Sequence, residues 1–456
     1  MSLSKFESML KTNSIYFFDL VEFEEIILYY LDIGKHSLAK NAVKLGLEQH
    51  PTSVDLKLLQ VEIYIFEDKL DKASNALKKI EILEPNNEEV HIQKAAIQTK
   101  RGAHTKAIEN LKIALGFAED KADVWSLLGM EYLYLDDFDN ARLNFEKCVV
   151  VDVEDYSALY NIVYCFDMEK KHEQAIIFLE AYIDVNPYSE IAWHQLGKQY
   201  FVLENYIKAL RSFDYAVLID DLFIGGYVEK AKTLEELGRF EEAIENYSVT
   251  LDLDDPTAFV YTRIGKCYQK MNKGDAAISF YKKAVQEDPL LDKSWVLLTN
   301  LFYEQKNYRK ALYYVSKALA IDEDNSLYWR KYTDINLKLS FFEEAAKGLK
   351  KCLSLDDVKL EVYVGLSDIL LFLGDYNEAL ENLLAARGVH KNFADIEYRV
   401  AGLWMMLGNE KQGMDHLIYA MKVDFNSHVI VEELFPLVFD NLKVQKLLSN
   451  FKKATE

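Results

Sequence analysis

The sequence predicts an all-α solenoid built from repeated helix-turn-helix units. Three observations lead to this prediction: a small residue recurs every 34 residues, an apolar residue follows it four positions later, and turn-forming residues stand at fixed places in between. Self-similarity at a period of roughly 20–50 residues is typical of architectures that stack one supersecondary unit on the next. The chain has 456 residues, which is enough for twelve such units and a short cap at each end.

The small residue is alanine in eleven repeats and glycine in the twelfth. Its positions are Ala39, Ala73, Ala107, Ala141, Ala175, Ala209, Ala243, Ala277, Ala311, Ala345, Ala379 and Gly413. The residue four positions after each of them is always apolar, which is the spacing of neighbours on one face of a helix. Because a small side chain lets two helices approach closely, we interpret this position as the contact between paired helices.

Turn residues follow the same period. Glycine occupies the predicted turn between the two helices in five repeats, at Gly34, Gly102, Gly238, Gly374 and Gly408. Glycine at this place favours the positive φ that ends a helix. Proline closes five repeats, where it ends one helix without breaking the next; these residues are Pro51, Pro85, Pro187, Pro256 and Pro289.

The clearest repeats carry a recognisable residue pattern. The stretches "WSLLGMEYLYLDDFDNARLNFEKCV" from Trp125 and "WHQLGKQYFVLENYIKALRSFDYAV" from Trp193 share Trp, Leu, Gly, Tyr, Ala and Phe at the same spacing. This pattern resembles the tetratricopeptide repeat (TPR), in the form of the long stand-alone repeat proteins of bacteria. The resemblance implies a right-handed superhelix whose first helices line a concave groove that binds extended peptides or partner helices. It also implies a scaffold or adaptor that is not an enzyme.

Twelve predicted repeats cover most of the chain. Their boundaries are 20–53, 54–87, 88–121, 122–155, 156–189, 190–223, 224–257, 258–291, 292–325, 326–359, 360–393 and 394–427. Residues 1–19 are predicted to form an N-terminal capping segment, and residues 428–456 a degenerate thirteenth repeat that caps the other end. Because this last segment is rather apolar for a cap, two interpretations stay open: a cap folded against the twelfth repeat, or a surface for self-association.

Composition and motifs disfavour several classes of partner and activity. A formal net charge of −21 disfavours nucleic acid and anionic membranes as partners. The sequence has no apolar run of about 18 residues and no signal-peptide pattern, so we expect no membrane insertion and a cytoplasmic location. It has no phosphate-binding loop or hydrolase motif, and its four cysteines lack metal-ligand spacing. We therefore expect no catalytic residue, no metal and no cofactor.

Candidate binding residues lie on one side of the first helix of each repeat, where positions 2, 5, 9, 12 and 13 share a face. In repeats six to eight, position 9 is Lys198, Lys232 and Lys266; further polar residues near this row are His194, Lys270, Asn300 and Arg330. Three lysines in one register favour a protein or peptide partner with an acidic segment or a terminal carboxylate. The alternative is a solvated stripe that is partly neutralised by nearby glutamates.

The same face is apolar in earlier repeats. Met130, Tyr134, Tyr160 and Tyr164 are the candidate anchors there, unless they pack against the adjacent first helix. The sequence therefore predicts a scaffold that captures a partner segment with apolar anchors in repeats two to five and lysines in repeats six to eight. Two alternatives remain: a homo-oligomeric structural protein that associates through its apolar C-terminal unit, and a regulatory subunit of an enzyme on another chain.

Overall fold

The computed structural model describes residues 2–12, 16–253 and 257–455; Pro256, one of the predicted closing prolines, lies outside these ranges. Within them the chain forms 28 α-helices and one short 3-10 helix, and no β-strand. The prediction of an all-α repeat solenoid is confirmed. The chain divides into two compact units, here called the N-terminal unit (Met1–Thr233) and the C-terminal unit (Leu234–Glu456).

The helix bounds are as follows. They are α1 Ser2–Thr12, α2 Leu20–Asp32, α3 His36–Gln49, α4 Val54–Phe66, α5 Leu70–Leu83, α6 Glu88–Lys100, α7 His104–Ala114, α8 Ala122–Tyr134, α9 Phe138–Val151, α10 Tyr156–Met168, α11 His172–Val185, α12 Glu190–Val202, α13 Tyr206–Ile219, α14 Ile224–Glu236, α15 Phe240–Leu253, α16 Ala258–Lys270, α17 Gly274–Glu287, α18 Asp292–Glu304, α19 Tyr308–Ile321, α20 Ser326–Lys338, α21 Phe342–Ser354, α22 Leu360–Leu373, α23 Tyr376–Val389, α24 Ala394–Met406, α25 Glu410–Val423, the 3-10 helix Asn426–His428, α26 Val429–Leu434, α27 Pro436–Phe439 and α28 Leu442–Thr455.

From α2 to α25 the helices come in pairs joined by two or three residues, which makes the two members of each pair antiparallel. The first helices of successive pairs begin 34 residues apart, at Leu20, Val54, Glu88, Ala122, Tyr156, Glu190, Ile224, Ala258, Asp292, Ser326, Leu360 and Ala394. Each first helix therefore presents the same register positions to its surroundings. The division of residues 20–427 into twelve repeats rests on this register and stays a prediction.

The turn within each pair has one backbone conformation. A residue with positive φ stands at every turn, whether it is glycine, as at Gly34 (69°), or not, as at Glu204 (57°). The seven turn residues other than glycine are Asp68, Asp136, Lys170, Glu204, Asn272, Lys306 and Ser340. After Glu204 the backbone N–H of Asn205 donates to the carbonyl of Tyr200 at 2.8 Å, which closes the helix end.

The recurring alanines are the centre of each helix pair. All eleven are fully buried. In the first helix opposite them, Gly197 lies so close to Phe213 that an added Cβ would be 2.5 Å from the ring. Leu196 and Tyr200 are buried, while Trp193 is half-buried and donates its indole N–H to the Pro187 carbonyl at 2.9 Å. The aromatic and small residues of the repeat pattern therefore act mainly in packing.

The C-terminal segment folds onto α24. Phe435 is 2% exposed and packs against Gly402, and further apolar residues of this segment are buried in the same core. These are Val431, Val438, Val444 and Leu448. Leu437 and Leu442 remain exposed. Most of the apolar character that suggested self-association is therefore used to cover the last helix pair.

Candidate functional site

The predicted apolar anchors are exposed. On α8, Met130 is 38% exposed and Tyr134 59%; on α10, Tyr160 is 43% exposed and Tyr164 48%. Both helices pack against α9, and the residues beside these side chains, such as Leu128, are buried. The four side chains lie at positions 5, 9 and 13 of their helices, which share one face, and Met130 and Tyr164 are both ninth. The packing of the repeats thus leaves them available to a partner, and we call them the tyrosine face.

The Tyr134 ring is held in place by a stacked histidine. The rings of His104 and Tyr134 lie 4.8 Å apart at an angle of 22°. His104 Nδ1 in turn lies 2.9 Å from the Glu131 carboxylate, which is almost fully buried and also accepts a hydrogen bond from Thr99. A ring that is fixed before binding loses little rotamer entropy when a partner covers it.

His194 stands out among the polar candidates because neither of its ring nitrogens has a partner. Both nitrogens are buried and form no hydrogen bond with the described residues. The ring lies between Phe213, at 5.8 Å, and Phe223, at 5.1 Å. Burial, together with the nearby charge of Lys198, lowers the pKa of His194 to about 4. At neutral pH this imidazole is therefore uncharged, with a donor and an acceptor still to be satisfied.

The three predicted lysines differ in their surroundings, although all are half-buried. Lys232 forms an ion pair with Glu229 at 2.7 Å. Lys198, in the N-terminal unit, and Lys266, in the C-terminal unit, form no ion pair with any described residue. Burial lowers the pKa of Lys266, and the neighbouring Arg263 charge adds to this effect.

The remaining candidates, Lys270, Asn300 and Arg330, differ in whether their polar groups have a partner within the chain. Lys270 is exposed at the end of α16, and the side-chain oxygen of Asn300 is buried without a hydrogen-bond partner. Arg330 instead forms a two-pronged ion pair with Asp357, with Nη2 and Oδ1 2.7 Å apart. The hydrogen bonds from Arg330, and then its charge, lower the pKa of Asp357. Arg330 thus secures the connection between α21 and α22, and its charge is already compensated within the chain.

Sequence reasoning missed an acidic cavity in the N-terminal unit. An open space of about 700 Å³ lies among α2, α4, α6 and the connection from α7 to α8. Glu24, Asp55, Glu62 and Glu89 on its wall occupy positions 5, 2, 9 and 2 of their first helices. These are positions of the same face that carries the lysines and tyrosines, so following acidic residues down that face would have found it.

The described ranges contain neither a cluster of metal ligands nor a membrane-spanning helix. No three carboxylate, imidazole or thiol groups there come close enough to hold a metal ion. The cysteines Cys148, Cys165, Cys267 and Cys352 are buried as free thiols, and burial raises the pKa of the Cys148 thiol to about 11. No helix in the described part combines the length and apolar character needed to cross a bilayer.

Family models match four stretches of the chain. One tetratricopeptide repeat model matches residues 224–248, 260–289 and 360–386, and a second model of the same repeat matches residues 126–190. The chain is a tetratricopeptide repeat protein. The matched stretches fall on consecutive helices from α8 to α11 and on the pairs α14–α15, α16–α17 and α22–α23. Tetratricopeptide repeats form protein-interaction scaffolds, and the present chain belongs to this class.

One curated protein matches part of the chain. The chain is 23% identical over 141 residues to anaphase-promoting complex subunit 3 of Schizosaccharomyces pombe; the match covers 31% of this chain and 21% of that protein. The chain thus aligns with about a fifth of that relative's length.

The solved structures that match the chain have low sequence identity to it. A tetratricopeptide repeat protein from Parabacteroides merdae is 17% identical and covers 55% of this chain and 98% of its own, with a TM-score of 0.38. The APC/C heterotetramer Cut9–Hcn1 is 15% identical. The match covers 93% of this chain and 97% of that chain, with a TM-score of 0.34. YrrB, described as a TPR protein with an unusual peptide-binding site, is 18% identical. The match covers 42% of this chain and 98% of that chain, with a TM-score of 0.36.

Proposed function

We propose that this scaffold captures a segment of a partner protein on the first-helix face of its N-terminal unit, without chemistry of its own. The exposure of the tyrosine face carries the proposal. Large aromatic side chains that stay exposed on neighbouring helices expose apolar area that a partner can bury. Tyrosine is also enriched among the residues that dominate binding energies, because it combines a rigid apolar ring with a hydroxyl group.

Polar groups further along this face support the same proposal. His194 on α12 has two buried ring nitrogens without a partner, and Lys198, one turn later, forms no ion pair with a described residue. A buried polar group without a hydrogen bond is costly to the fold, and its retention is understandable if a ligand satisfies it. A partner segment with apolar side chains and a carboxylate beyond them would match the tyrosine face and Lys198.

A displayed random-peptide library, selected on the full chain, provides probes for this face. We expect selected peptides to combine apolar residues with an acidic residue. Their affinity, measured by fluorescence anisotropy, should fall about tenfold or more for the double variant Tyr160→Ala/Tyr164→Ala. The matched control is Leu143→Ala/Ile177→Ala, which removes exposed aliphatic side chains from the second helices α9 and α11.

The lysine contribution is measured with a charge reversal. Lys198→Glu should weaken the same peptides, whereas Lys106→Glu, an exposed lysine on the second helix α7, should leave them within about twofold. Selected peptides that bind the double tyrosine variant and the parent with equal affinity would refute the proposed groove. A mass twice that of one chain in light scattering would instead favour self-association, with Leu437 and Leu442 as the first residues to replace.

A further inference from the structure

The acidic cavity lies at the N-terminal end of the described repeats, away from the tyrosine face in sequence. Its volume of about 700 Å³ is within the range of binding pockets, roughly 300–1,000 Å³. Its lining residues are Glu24, Leu28, Asp55, Leu58, Leu59, Glu62, Asn86, Asn87, Glu88, Glu89, Gln93, Phe117 and Glu119.

The carboxylates of this cavity lack compensating charges. Its acidic residues are Glu24, Asp55, Glu62, Glu88, Glu89 and Glu119. None of them forms an ion pair with a lysine, arginine or histidine in the described part of the chain, although two dozen such pairs occur elsewhere in it. The unbalanced charge makes this cavity attractive to a cation.

The titration of these groups agrees with an excess of negative charge. Desolvation raises the pKa of Glu24, and the nearby charge of Asp55 raises it further. Desolvation likewise raises the pKa of Glu62, and Glu89 adds to the rise. A positive group in the cavity would reverse both effects, because an opposite charge within a few ångströms favours the ionised carboxylate.

Two buried acceptors in the same wall have no donor. Gln93 is 5% exposed, and its amide nitrogen donates to the Leu58 carbonyl at 3.2 Å and to Glu89 Oε1 at 2.8 Å. These two bonds fix the orientation of the amide, so its oxygen faces away from both acceptors. That oxygen has no hydrogen-bond partner among the described residues, and neither has Glu24 Oε1. Both atoms accept hydrogen bonds, which an N–H donor would satisfy.

We propose that the acidic cavity binds a cationic side chain, arginine or lysine, carried by a segment of a partner protein. Such a side chain supplies the positive charge for the carboxylates and N–H donors for Gln93 and Glu24. Its aliphatic stem would lie against the apolar part of the lining, since long basic side chains bury their methylene groups on apolar surfaces; that part comprises Leu28, Leu58, Leu59 and Phe117.

The arrangement suits an organic cation better than a metal ion. A divalent ion needs several oxygen ligands at once, within about 2.0–2.6 Å. No three acidic groups among the described residues converge in this way. Because the cavity shares no residue with the tyrosine face or with Lys198, the proposal stands or falls independently of the proposed function.

A short fluorescein-labelled peptide of repeated Arg-Leu-Gly triplets is the probe, measured by anisotropy with the full chain at low ionic strength. The matched peptide has citrulline, the neutral analogue of arginine, in each arginine position. The test variant is Glu24→Gln/Glu62→Gln, which removes two cavity charges with little change of shape. Its control is Glu25→Gln/Glu109→Gln, which removes two exposed charges that do not line the cavity.

We expect the arginine peptide to bind the parent and the control with affinities within about twofold. Its affinity for the cavity variant should be about tenfold lower, and the citrulline peptide should not bind. Equal affinity for the cavity variant and the control would overturn the proposal, and so would binding of the citrulline peptide. Spermidine is a second competitor. If it displaces the probe at a concentration no higher than the unlabelled arginine peptide needs, the proposal is also overturned, because the cavity would then prefer a small polycation to a protein segment.

Discussion

Glu24 and Glu62 carry raised pKa values in the folded chain, mainly through desolvation and then through neighbouring carboxylates. A raised pKa means that the folded state binds more protons than the unfolded state as the pH approaches that pKa. The stabilisation of the fold by protonation of these carboxyl groups is complete below their pKa in the unfolded chain, about 4. It is lost as the pH rises through their pKa in the folded chain. At neutral pH these two charges therefore destabilise the N-terminal unit.

The double variant Glu24→Gln/Glu62→Gln should consequently be more stable than the parent at pH 7. We expect the thermal midpoint to rise by about 1–3 °C, and the difference to shrink as the pH falls through the raised pKa values of the two carboxylates, so that little of it remains at about pH 4. Scanning fluorimetry across this pH range measures both effects. The control Glu25→Gln/Glu109→Gln should change little at either pH; a midpoint for the cavity variant below that of the parent at pH 7 would show that the charges stabilise the fold.

Single residues also show why the candidate site was only partly predictable. Lys198, Lys232 and Arg330 were equivalent as basic residues in the sequence. In the folded chain, Arg330 is paired with Asp357 and Lys232 with Glu229, whereas Lys198 forms no ion pair among the described residues. Asp357 lies in a connection 27 residues after Arg330, and the geometry of that connection decides the pairing. The 34-residue register alone does not predict this ion pair.

At the scale of the helix pair, the backbone conformation of the turn residue lowers the stability of the fold. Glu204 has φ of 57°, a conformation that costs a residue with a Cβ roughly 1–2 kcal/mol. Glu204→Gly removes this strain, while the greater flexibility of glycine in the unfolded chain offsets about half of the gain. We expect a net stabilisation of about 0.5–1 kcal/mol by urea denaturation.

Two further variants separate backbone strain from side-chain effects at this turn. Glu204→Ala removes the same side chain but keeps the strain, so its stability should stay near that of the parent. Gly102→Ala introduces the strain at an equivalent turn, where no atom lies within 4 Å of an added Cβ, and should cost about 1 kcal/mol. A gain in stability for Gly102→Ala would contradict this explanation.

The alanine contact makes a second prediction for the helix pair. Ala379 and Ala385 both lie on α23, but Ala379 is fully buried and Ala385 is exposed. Ala379→Leu should overpack the contact between the paired helices and cost about 1–3 kcal/mol, whereas Ala385→Leu should change stability by less than about 0.5 kcal/mol. Urea denaturation of both variants measures the difference. Equal effects would mean that the recurring alanine is not a packing requirement.

For the molecule as a whole, the sequence predicted the fold because one packing rule repeats without a change of period. The buried alanine and the positive-φ turn recur every 34 residues, so the local pattern of one helix pair carries over to the others. The turn shows the limit of reading residue types. Seven turns adopt the glycine conformation without glycine, since the helices on both sides impose it.

The acidic cavity shows a different limit. Glu24, Glu62 and Gln93 are far apart in sequence, and each is ordinary for a solvated helix. Their joint effect arises because α2, α4 and α6 bring the same face of successive first helices together. Desolvation and the unpartnered Gln93 oxygen depend on this packing. The shared face follows from the register, whereas the cavity and its uncompensated charge depend on how the three helices pack.

Hydrogen–deuterium exchange of the full chain, with and without a library-selected peptide, tests most directly whether first helices of the N-terminal unit receive the partner. We expect slower exchange in the segments that cover α8, α10 and α12, and in particular around Tyr134, Tyr164 and Lys198. The second helices α9 and α11 should be almost unchanged, because their exposed side faces away from the bound segment. Protection confined to α9 and α11, or to the C-terminal unit, would contradict the account.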